Sequence, residues 1–222
     1  MARLVLVIGN KNYSSWSMRP WILLKAAGIP FEEVMIPLQQ PDTAARIAEH
    51  TPAGRLPVLK HGGITVWESL AICEYLAEQF PDAALWPADT AARAMARAIA
   101  NEMHAGFQPL RQAMPMNVRR DRPGLAISPE VAANIARIGA IWREARTRFG
   151  ERPDSGGPFL FGRFSVADAM FAPVISRFRT YHVDPGPVAR GYMDAFWRHP
   201  AARAWLAESE AEGWPTPFYD DV

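Results

Sequence analysis

The pattern of apolar and polar positions divides the chain into two parts. In the first part, short apolar runs bounded by turn residues alternate with stretches of helical periodicity. Leu4 to Ile8 is an apolar run that ends at Gly9-Asn10, which predicts a buried strand. Further strands are predicted at 31–37, 58–60 and 64–67, and helices at 16–27, 41–49 and 69–80. This βαβαββα order predicts a four-stranded mixed sheet with helices on its faces.

The second part lacks strand patterns and is predicted to be all-helical. Helical segments are expected at 91–114, 129–149, 165–179, 188–198 and 201–210. Between the two parts, residues 81–90 contain two prolines and no periodicity, as is typical of a linker. We therefore expect an α+β domain at residues 1–80 and an all-helical domain at residues 91–222, which ends in an irregular aromatic tail.

Composition narrows the class of protein. The 222 residues carry a formal net charge of +1 without a long basic run, which argues against nucleic acid or an anionic membrane surface as a partner. No apolar stretch approaches the ~20 residues of a membrane span. The single cysteine, Cys73, fits a reducing compartment and lies in a helical pattern that predicts a buried structural thiol. We therefore expect a cytoplasmic protein without an internal disulfide.

Pro57 opens the predicted strand at 58–60, although a proline cannot donate a hydrogen bond to a sheet. A cis bond before Pro57 would turn the backbone of Leu56 toward solvent, where it could pair with an extended peptide ligand. The structural alternative is a trans proline that only starts the strand.

The next helix is predicted to begin at Glu68-Ser69, with Ser69 as its N-cap. Free N–H groups and the positive end of the helix dipole make a helix N-terminus a good site for a carboxylate. A ligand with both an α-ammonium and an α-carboxylate would find an acceptor in Glu68 and donors in Ser69. The alternative is a helix cap that binds no ligand.

Two hydroxyls, Ser14 and Ser15, lie in the turn before the first predicted helix, and Arg19 follows one turn later. A hydroxyl near free helix N–H groups can donate a hydrogen bond to a thiolate and so lower the pKa of a thiol carried by the ligand. The serine need not be a nucleophile, and the G-x-S-x-G motif of serine hydrolases is absent from the sequence. The alternative is a serine that only caps the helix.

Two other patterns bear on folding and on metals. Ser165 and Asp168 stand three residues apart before an apolar helix, which is a capping-box pattern. The five histidines have no metal-ligand spacing to one another or to the cysteine, so no metal site is expected.

These segments, in this order, resemble a cytosolic glutathione transferase over nearly the whole chain. S-S-W-S-M-R, Ser14 to Arg19, resembles the serine-type active-site motif, whose zeta-class form is S-S-C-S-W-R. T-P-A-G-R-L-P-V-L resembles the family's N-P-x-x-x-V-P-x-L segment, with the cis-proline at Pro57. Glu68-Ser69 matches the γ-glutamyl site, and the capping box of the second domain is matched as well.

The resemblance implies a thioredoxin-like domain followed by the family's all-helical domain, assembled as a homodimer. It implies a transferase that activates glutathione for attack on a small, mostly apolar electrophile, with Ser14 holding the thiolate and Ser15 supporting it. Arg55 would reach the glycine end and Leu56 the cysteinyl backbone. The implied glutathione contacts are Ser14, Arg55, Leu56, Pro57, Glu68 and Ser69. From placement along the first long helix of the second domain, the electrophile pocket is expected to include Trp16, His104, Phe107 and Arg111.

Departures from the zeta-class motif bear on the activity. Trp16 stands where that class has a cysteine, so a reductase role through this position is not expected. Arg177 and Arg179 could bind a dicarboxylate in a glutathione-dependent isomerase of maleylacetoacetate-like substrates, but we interpret both as helix-surface arginines. A third hypothesis is a non-catalytic binding or regulatory protein on the same fold, against which the intact Glu68-Ser69 pair argues.

Overall fold

A computed structural model describes residues 3–214. The first part contains the strands β1 (Leu4–Ile8), β2 (Glu32–Met35), β3 (Val58–His61) and β4 (Ile64–Trp67). The helices that accompany them are α1 (Ser15–Ala26), α2 (Thr43–Ala48) and α3 (Ser69–Gln79). The predicted βαβαββα order is confirmed, and the element ends differ from the predicted ones by a few residues.

The four strands form one mixed sheet in the order β2-β1-β3-β4. β1 runs parallel to β2 and antiparallel to β3, which pairs with β4 in a hairpin. Alternate residues of a strand point to opposite faces. Leu6 and Ile8 of β1 join the core that contains α1 and α3, whereas Val7 packs with Ile47 of α2. Burial on both faces explains why β1 is a continuous apolar run rather than an alternating one.

In the second part, the described residues form helices joined by loops, as predicted, apart from two isolated β-bridges within residues 159–163. The helices are α4 (Thr90–Ala105), α5 (Gln108–Ala113), α6 (Pro129–Ala145), α7 (Val166–Thr180), α8 (Pro187–Arg198) and α9 (Pro200–Glu210). The single helix predicted at 91–114 is instead two helices, because Phe107 takes a left-handed conformation with φ of 61° and interrupts the helical backbone. The part of the predicted aromatic tail beyond residue 214 lies outside the described residues.

One hydrophobic core joins the sheet to the helices of the second part. α1 packs against α3, α7 and α9, and Trp21 of α1 meets Trp205 of α9 with ring centroids 5.0 Å apart. Cys73 is fully buried in α3, as predicted, and burial raises the pKa of its thiol to about 12. None of the helices between residues 3 and 214 has the length and apolarity that crossing a membrane requires.

The start of α7 depends on one buried carboxylate. Asp168 accepts hydrogen bonds from the backbone N–H of Ser165 at 2.8 Å and of Leu160 at 3.0 Å, and from the Ser165 hydroxyl at 2.9 Å. Ser165 and Asp168 therefore form the predicted capping box. Because both residues are buried, the carboxylate is the acceptor for N–H groups that water does not reach.

Replacement of this carboxylate should destabilise the fold more than loss of an exposed cap. Asp168→Ala should lower the free energy of unfolding by about 2 kcal/mol or more, because two buried N–H groups each lose a partner at ~1–3 kcal/mol. The matched control is Ser128→Ala, which removes the exposed N-cap of α6 and should cost ~1 kcal/mol. Urea denaturation measures both values. A loss at Asp168 no larger than the loss at Ser128 would contradict the assignment.

Candidate active site

Two adjoining clefts lie between the N-terminal ends of α1 and α3 and the segment that joins α4 to α5. The first cleft has a volume of about 380 Å³, and the residues that line it alone are Pro57, Trp67, Glu68, Ser69, His104 and Ala105. The second cleft has a volume of about 450 Å³, and its own lining includes Tyr13, Ser14, Ser15, Pro115, Met116 and Arg177. Both clefts share Trp16, Arg55, Leu56, Gln108 and Arg111.

The loop before β3 and the start of α3 shape the first cleft. The Leu56–Pro57 bond is cis, which decides between the two alternatives left open by the sequence. Glu68 has a φ of 69°, a conformation that is costly for a non-glycine residue and is often found at ligand-binding sites. The predicted cap is one residue off: Glu68 takes the N-cap position without a side-chain capping bond, and the buried Ser69 begins the helix.

Trp16 is one of the five residues that line both clefts, and three cationic or aromatic side chains contact its ring. The guanidinium carbon of Arg19 lies 4.2 Å from the centroid of the Trp16 ring, and that of Arg111 lies 4.4 Å from it. The imidazole of His104 meets the same indole edge-to-face, with ring centroids 5.2 Å apart. Cations over an indole face are attracted by its quadrupole, so Trp16 holds the positive charge of Arg111 in the wall that both clefts share.

Arg19 is the deeply buried member of this group, with 1% of its surface exposed. Burial and, to a smaller extent, the positive charges of Arg111 and Arg177 together lower the pKa of Arg19 to about 9. Its Nη1 donates to the Ser69 hydroxyl at 3.4 Å, whereas its Nε has no hydrogen-bond partner within residues 3–214. A cation in this environment raises the affinity of the neighbouring clefts for an anion.

Arg177 is also buried, so its interpretation as a helix-surface arginine is wrong. Its Nε donates to the carbonyl of Met114 at 2.7 Å and its Nη1 to the carbonyl of Pro173 at 3.2 Å. The residue lines the second cleft. Arg179, two positions on, is exposed as expected and lies over the Trp197 ring at 4.8 Å. Arg177 differs because the α7 face on which it lies is packed into the core.

The serines lie at the N-terminus of α1. Ser14 is its N-cap, with Oγ accepting from the N–H of Ser17 at 3.4 Å and 2.7 Å from the Ser17 hydroxyl oxygen. The Ser17 oxygen also accepts the N–H of Gly9 at 3.0 Å. Ser15 is the first helical residue and is half-buried. In the described part of the chain, its hydroxyl has no hydrogen-bond partner, so it is available to a ligand in the second cleft.

His104 lies on the opposite wall of the first cleft. Burial lowers the pKa of His104, the charges of Arg19 and Arg111 lower it further, and Glu68 opposes them. The Nε2 atom of His104 lies 3.8 Å from a carboxylate oxygen of Glu68. We therefore assign a neutral imidazole to His104 at neutral pH. In this form it packs against Trp16 and carries no positive charge that would attract an anion.

Most of the residues expected at the site lie together. The exception is Phe107, which is buried in the hydrophobic core and lines neither cleft, because the left-handed turn at this residue directs the chain away. Two residues of the site were not predicted from the sequence. Ser17 contacts Ser14, and its position three residues later in the helix could have indicated this contact. Gln108 lines both clefts. No group of three or more potential metal ligands occurs among residues 3–214.

Sequence comparison places this geometry in a known family. Residues 13–79 match the glutathione S-transferase N-terminal domain, and residues 128–208 match the glutathione S-transferase C-terminal domain. The rat maleylacetoacetate isomerase is 40% identical over 180 residues, which cover 78% of each chain. A probable maleylacetoacetate isomerase from Caenorhabditis elegans is 38% identical over 97 residues, a match that spans less than half of either protein.

Structural comparison leads to the same family. A glutathione transferase homolog from Burkholderia, solved with bound glutathione, superposes with a TM-score of 0.68 and 25% sequence identity. The superposition covers 96% of this chain and all of that one, and so includes both the sheet and the helical part. The match to both domains and the identity to the rat protein agree with the fold, and the chain belongs to the glutathione S-transferase family.

Proposed function

We propose that the protein is a glutathione-dependent enzyme that binds glutathione in the first cleft and a carboxylate-bearing electrophile in the second. The observation that carries the proposal is the meeting of the two clefts at Trp16, with Glu68 and Ser69 on one side and the serine hydroxyls on the other. The glutathione bound to the Burkholderia homolog supports it.

Glutathione fits the chemistry of the first cleft from one end to the other. Its α-ammonium would pair with the carboxylate of Glu68, and its α-carboxylate would accept from Ser69 and the free N–H groups that begin α3. The backbone of Leu56 would pair with the cysteinyl residue, as in strand addition. Arg55, which lines both clefts, would bind the glycine carboxylate.

The thiol would then lie near the serines at the start of α1. The Ser14 hydroxyl donates its proton to the Ser17 oxygen, which also accepts the N–H of Gly9. A hydroxyl proton can rotate, so Ser14 would exchange this bond for one to a bound thiolate, and Ser15 offers a second donor. The positive charge of Arg19 and the N-terminus of α1 stabilise the thiolate in addition.

The second substrate is better described as an anion than as a purely apolar electrophile. Arg111 and Arg177 line the second cleft, and arginine binds carboxylates through paired N–H donors. This composition, with the 40% identity to a maleylacetoacetate isomerase, favours cis–trans isomerisation of an unsaturated dicarboxylate. The thiolate would add to the conjugated double bond, the new single bond would rotate, and the thiolate would leave.

Conjugation is the second candidate function, and a different part of the cleft favours it. Leu38, Ile47 and Met116 give the second cleft an apolar floor that suits a neutral electrophile. In that reaction, the thiolate would displace a leaving group and remain bonded to the product. The two activities share the thiolate. They differ in how the carbon–sulfur bond forms, by addition or by displacement of a leaving group, and in whether that bond persists in the product.

Calorimetric titration of glutathione over a pH series tests thiolate stabilisation. Wild-type protein should release a proton on binding near neutral pH, because the bound thiol ionises. Ser14→Ala and Ser15→Ala should each bind glutathione, and the variant that lost the donor should have a thiol pKa about one to two units higher, since a hydrogen bond to a charged group contributes ~1.5–3 kcal/mol. S-methylglutathione, which has no ionisable thiol, is the control. Equal proton release by the wild type and both variants would mean that neither serine stabilises the thiolate.

Steady-state kinetics with two electrophiles tests the nature of the second substrate. Arg177→Met should lower kcat/KM for a maleylacetoacetate-like dicarboxylate by about 10- to 100-fold, which corresponds to a charged hydrogen bond of ~1.5–3 kcal/mol, and should leave a neutral aryl halide little affected. If Arg177→Met does not fold, Arg177→Lys, which keeps the positive charge, takes its place. The matched control is Arg179→Met, because Arg179 is exposed. Equal losses for both electrophiles would mean that Arg177 only supports the fold. Glutathione binding without turnover of either would favour a non-catalytic binding protein.

A further inference from the structure

The loop between β1 and α1 is buried, although it carries the candidate serine at its end. All six residues from 9 to 14 are buried. Buried backbone N–H groups need partners. Gly9 donates to the Ser17 hydroxyl, and Tyr13 and Ser14 both donate to the carbonyl of Asn10. The N–H groups of the two residues in the middle of the loop find their acceptor outside it.

That acceptor is Glu212, two hundred residues further along the chain. The N–H of Lys11 donates to one oxygen of the Glu212 carboxylate, and the N–H of Asn12 donates to the other at 3.0 Å. Glu212 lies just after α9 and lines neither cleft. Its side chain therefore acts on the loop and not on a ligand.

Arg119 holds the same loop from a second direction. Its guanidinium donates to the carbonyl of Glu212 at 2.8 Å and to the hydroxyl of Tyr13 at 3.1 Å. Its backbone N–H donates to the Asn12 side chain at 3.0 Å, and the N–H of Val118 donates to the Asn12 carbonyl at 3.2 Å. The loop is thus held between α9 and the segment that follows α5.

The nearby lysine does not need Glu212 as its counterion. The ammonium group of Lys11 pairs with Glu33 of β2 and, at 3.1 Å, with Glu208 of α9. It also lies over the rings of Trp21 and Trp205, at 5.5 Å and 5.9 Å from their centroids. The specific contribution of Glu212 is therefore to accept the two backbone N–H groups.

We propose that Glu212 is a positioning residue, which fixes the loop before α1 and thereby the hydroxyl of Ser14 relative to the glutathione thiol. The inference rests on the proposed function. Without the carboxylate, two buried N–H groups have no acceptor, and the loop must open toward water to satisfy them. The Ser14 hydroxyl then moves, whereas Glu68 and Ser69, which line the first cleft, keep their places.

Protonation of Glu212 should loosen the loop in the same way as replacement of Glu212 does. Burial raises the pKa of Glu212, and the opposing contributions come from the N–H donors of Asn12 and Lys11 and from the charges of Lys11 and Arg119. As pH falls, Glu212 therefore takes up a proton at a higher pH than an ordinary glutamate does. Turnover should decrease there, because a protonated carboxyl accepts the two N–H groups less strongly.

Kinetics of Glu212→Gln against Glu210→Gln tests the proposal. Glu212→Gln should lower kcat about tenfold, since a misplacement of about 1 Å at a reacting group costs up to ~10²-fold, and should leave the Kd of glutathione within about twofold. The decrease in turnover at low pH that we assign to Glu212 should be absent from the pH profile of this variant. Glu210 is exposed at the end of α9, so Glu210→Gln should behave as wild type. An unchanged kcat and an unchanged decrease in turnover at low pH in Glu212→Gln would overturn the proposal.

Amide hydrogen exchange separates this inference from the proposed function. The amides of Lys11 and Asn12 should exchange slowly in wild type and at least about tenfold faster in Glu212→Gln, whether or not glutathione binds. If the variant does not fold, exchange in wild type, corrected for the intrinsic effect of pH, should accelerate as Glu212 protonates. Exchange that is equally fast in wild type and variant would overturn the proposal. Failure of wild type to bind glutathione would instead refute the proposed function and leave the loop measurement valid.

Discussion

The burial of α1 is the constraint on which both clefts depend. Residues 17–24 of this helix are all buried, and the helix packs against α3, α7 and α9 at once. A side chain on such an element is held more accurately than one on a loop. Ser14 and Ser15 lie at the N-terminus of this helix, so the packing of α1 in the core helps to fix their positions in the second cleft. The sheet and α9 contribute to the site mainly by holding α1, whereas α7 also supplies Arg177 to the second cleft.

Electrostatics sets a second condition on the site. The charges of Arg111 and Arg177 lower the pKa of Arg19, and Glu68 is the carboxylate that opposes them there. A buried cation is costly unless it is paired. The Trp16 ring and the Ser69 hydroxyl supply only part of the compensation. The carbonyls of Met114 and Pro173 accept from Arg177, and that of His104 accepts from Arg111. Under the proposed function, a thiolate and a carboxylate substrate would add to this compensation.

The sequence predicts the order of elements well, because strand and helix periodicity in this chain is strong and local. It also predicts that Pro57, Glu68 and Ser14 lie near one another, through motifs whose spacing reflects backbone geometry. It does not reveal Arg177, since a charged residue two positions from an exposed arginine gives no sign of which side of α7 is buried. It misplaces Phe107 for a similar reason: a left-handed residue between two helical stretches has no periodic signature. Glu212 is out of reach of local patterns altogether, because its partners are two hundred residues away.

Membership of the family fixes the fold and leaves the chemistry to individual side chains. Trp16 is the side chain that matters most here, because it occupies the position of the cysteine in the zeta-class motif. A thiol at that position would offer no face on which Arg19 and Arg111 could stack, and no edge-to-face partner for His104. The indole instead lines both clefts and contacts the guanidinium group of Arg111, which also lines both. Trp16 and Arg111 contact each other in the wall that both clefts share, so a change of either residue would disturb the other.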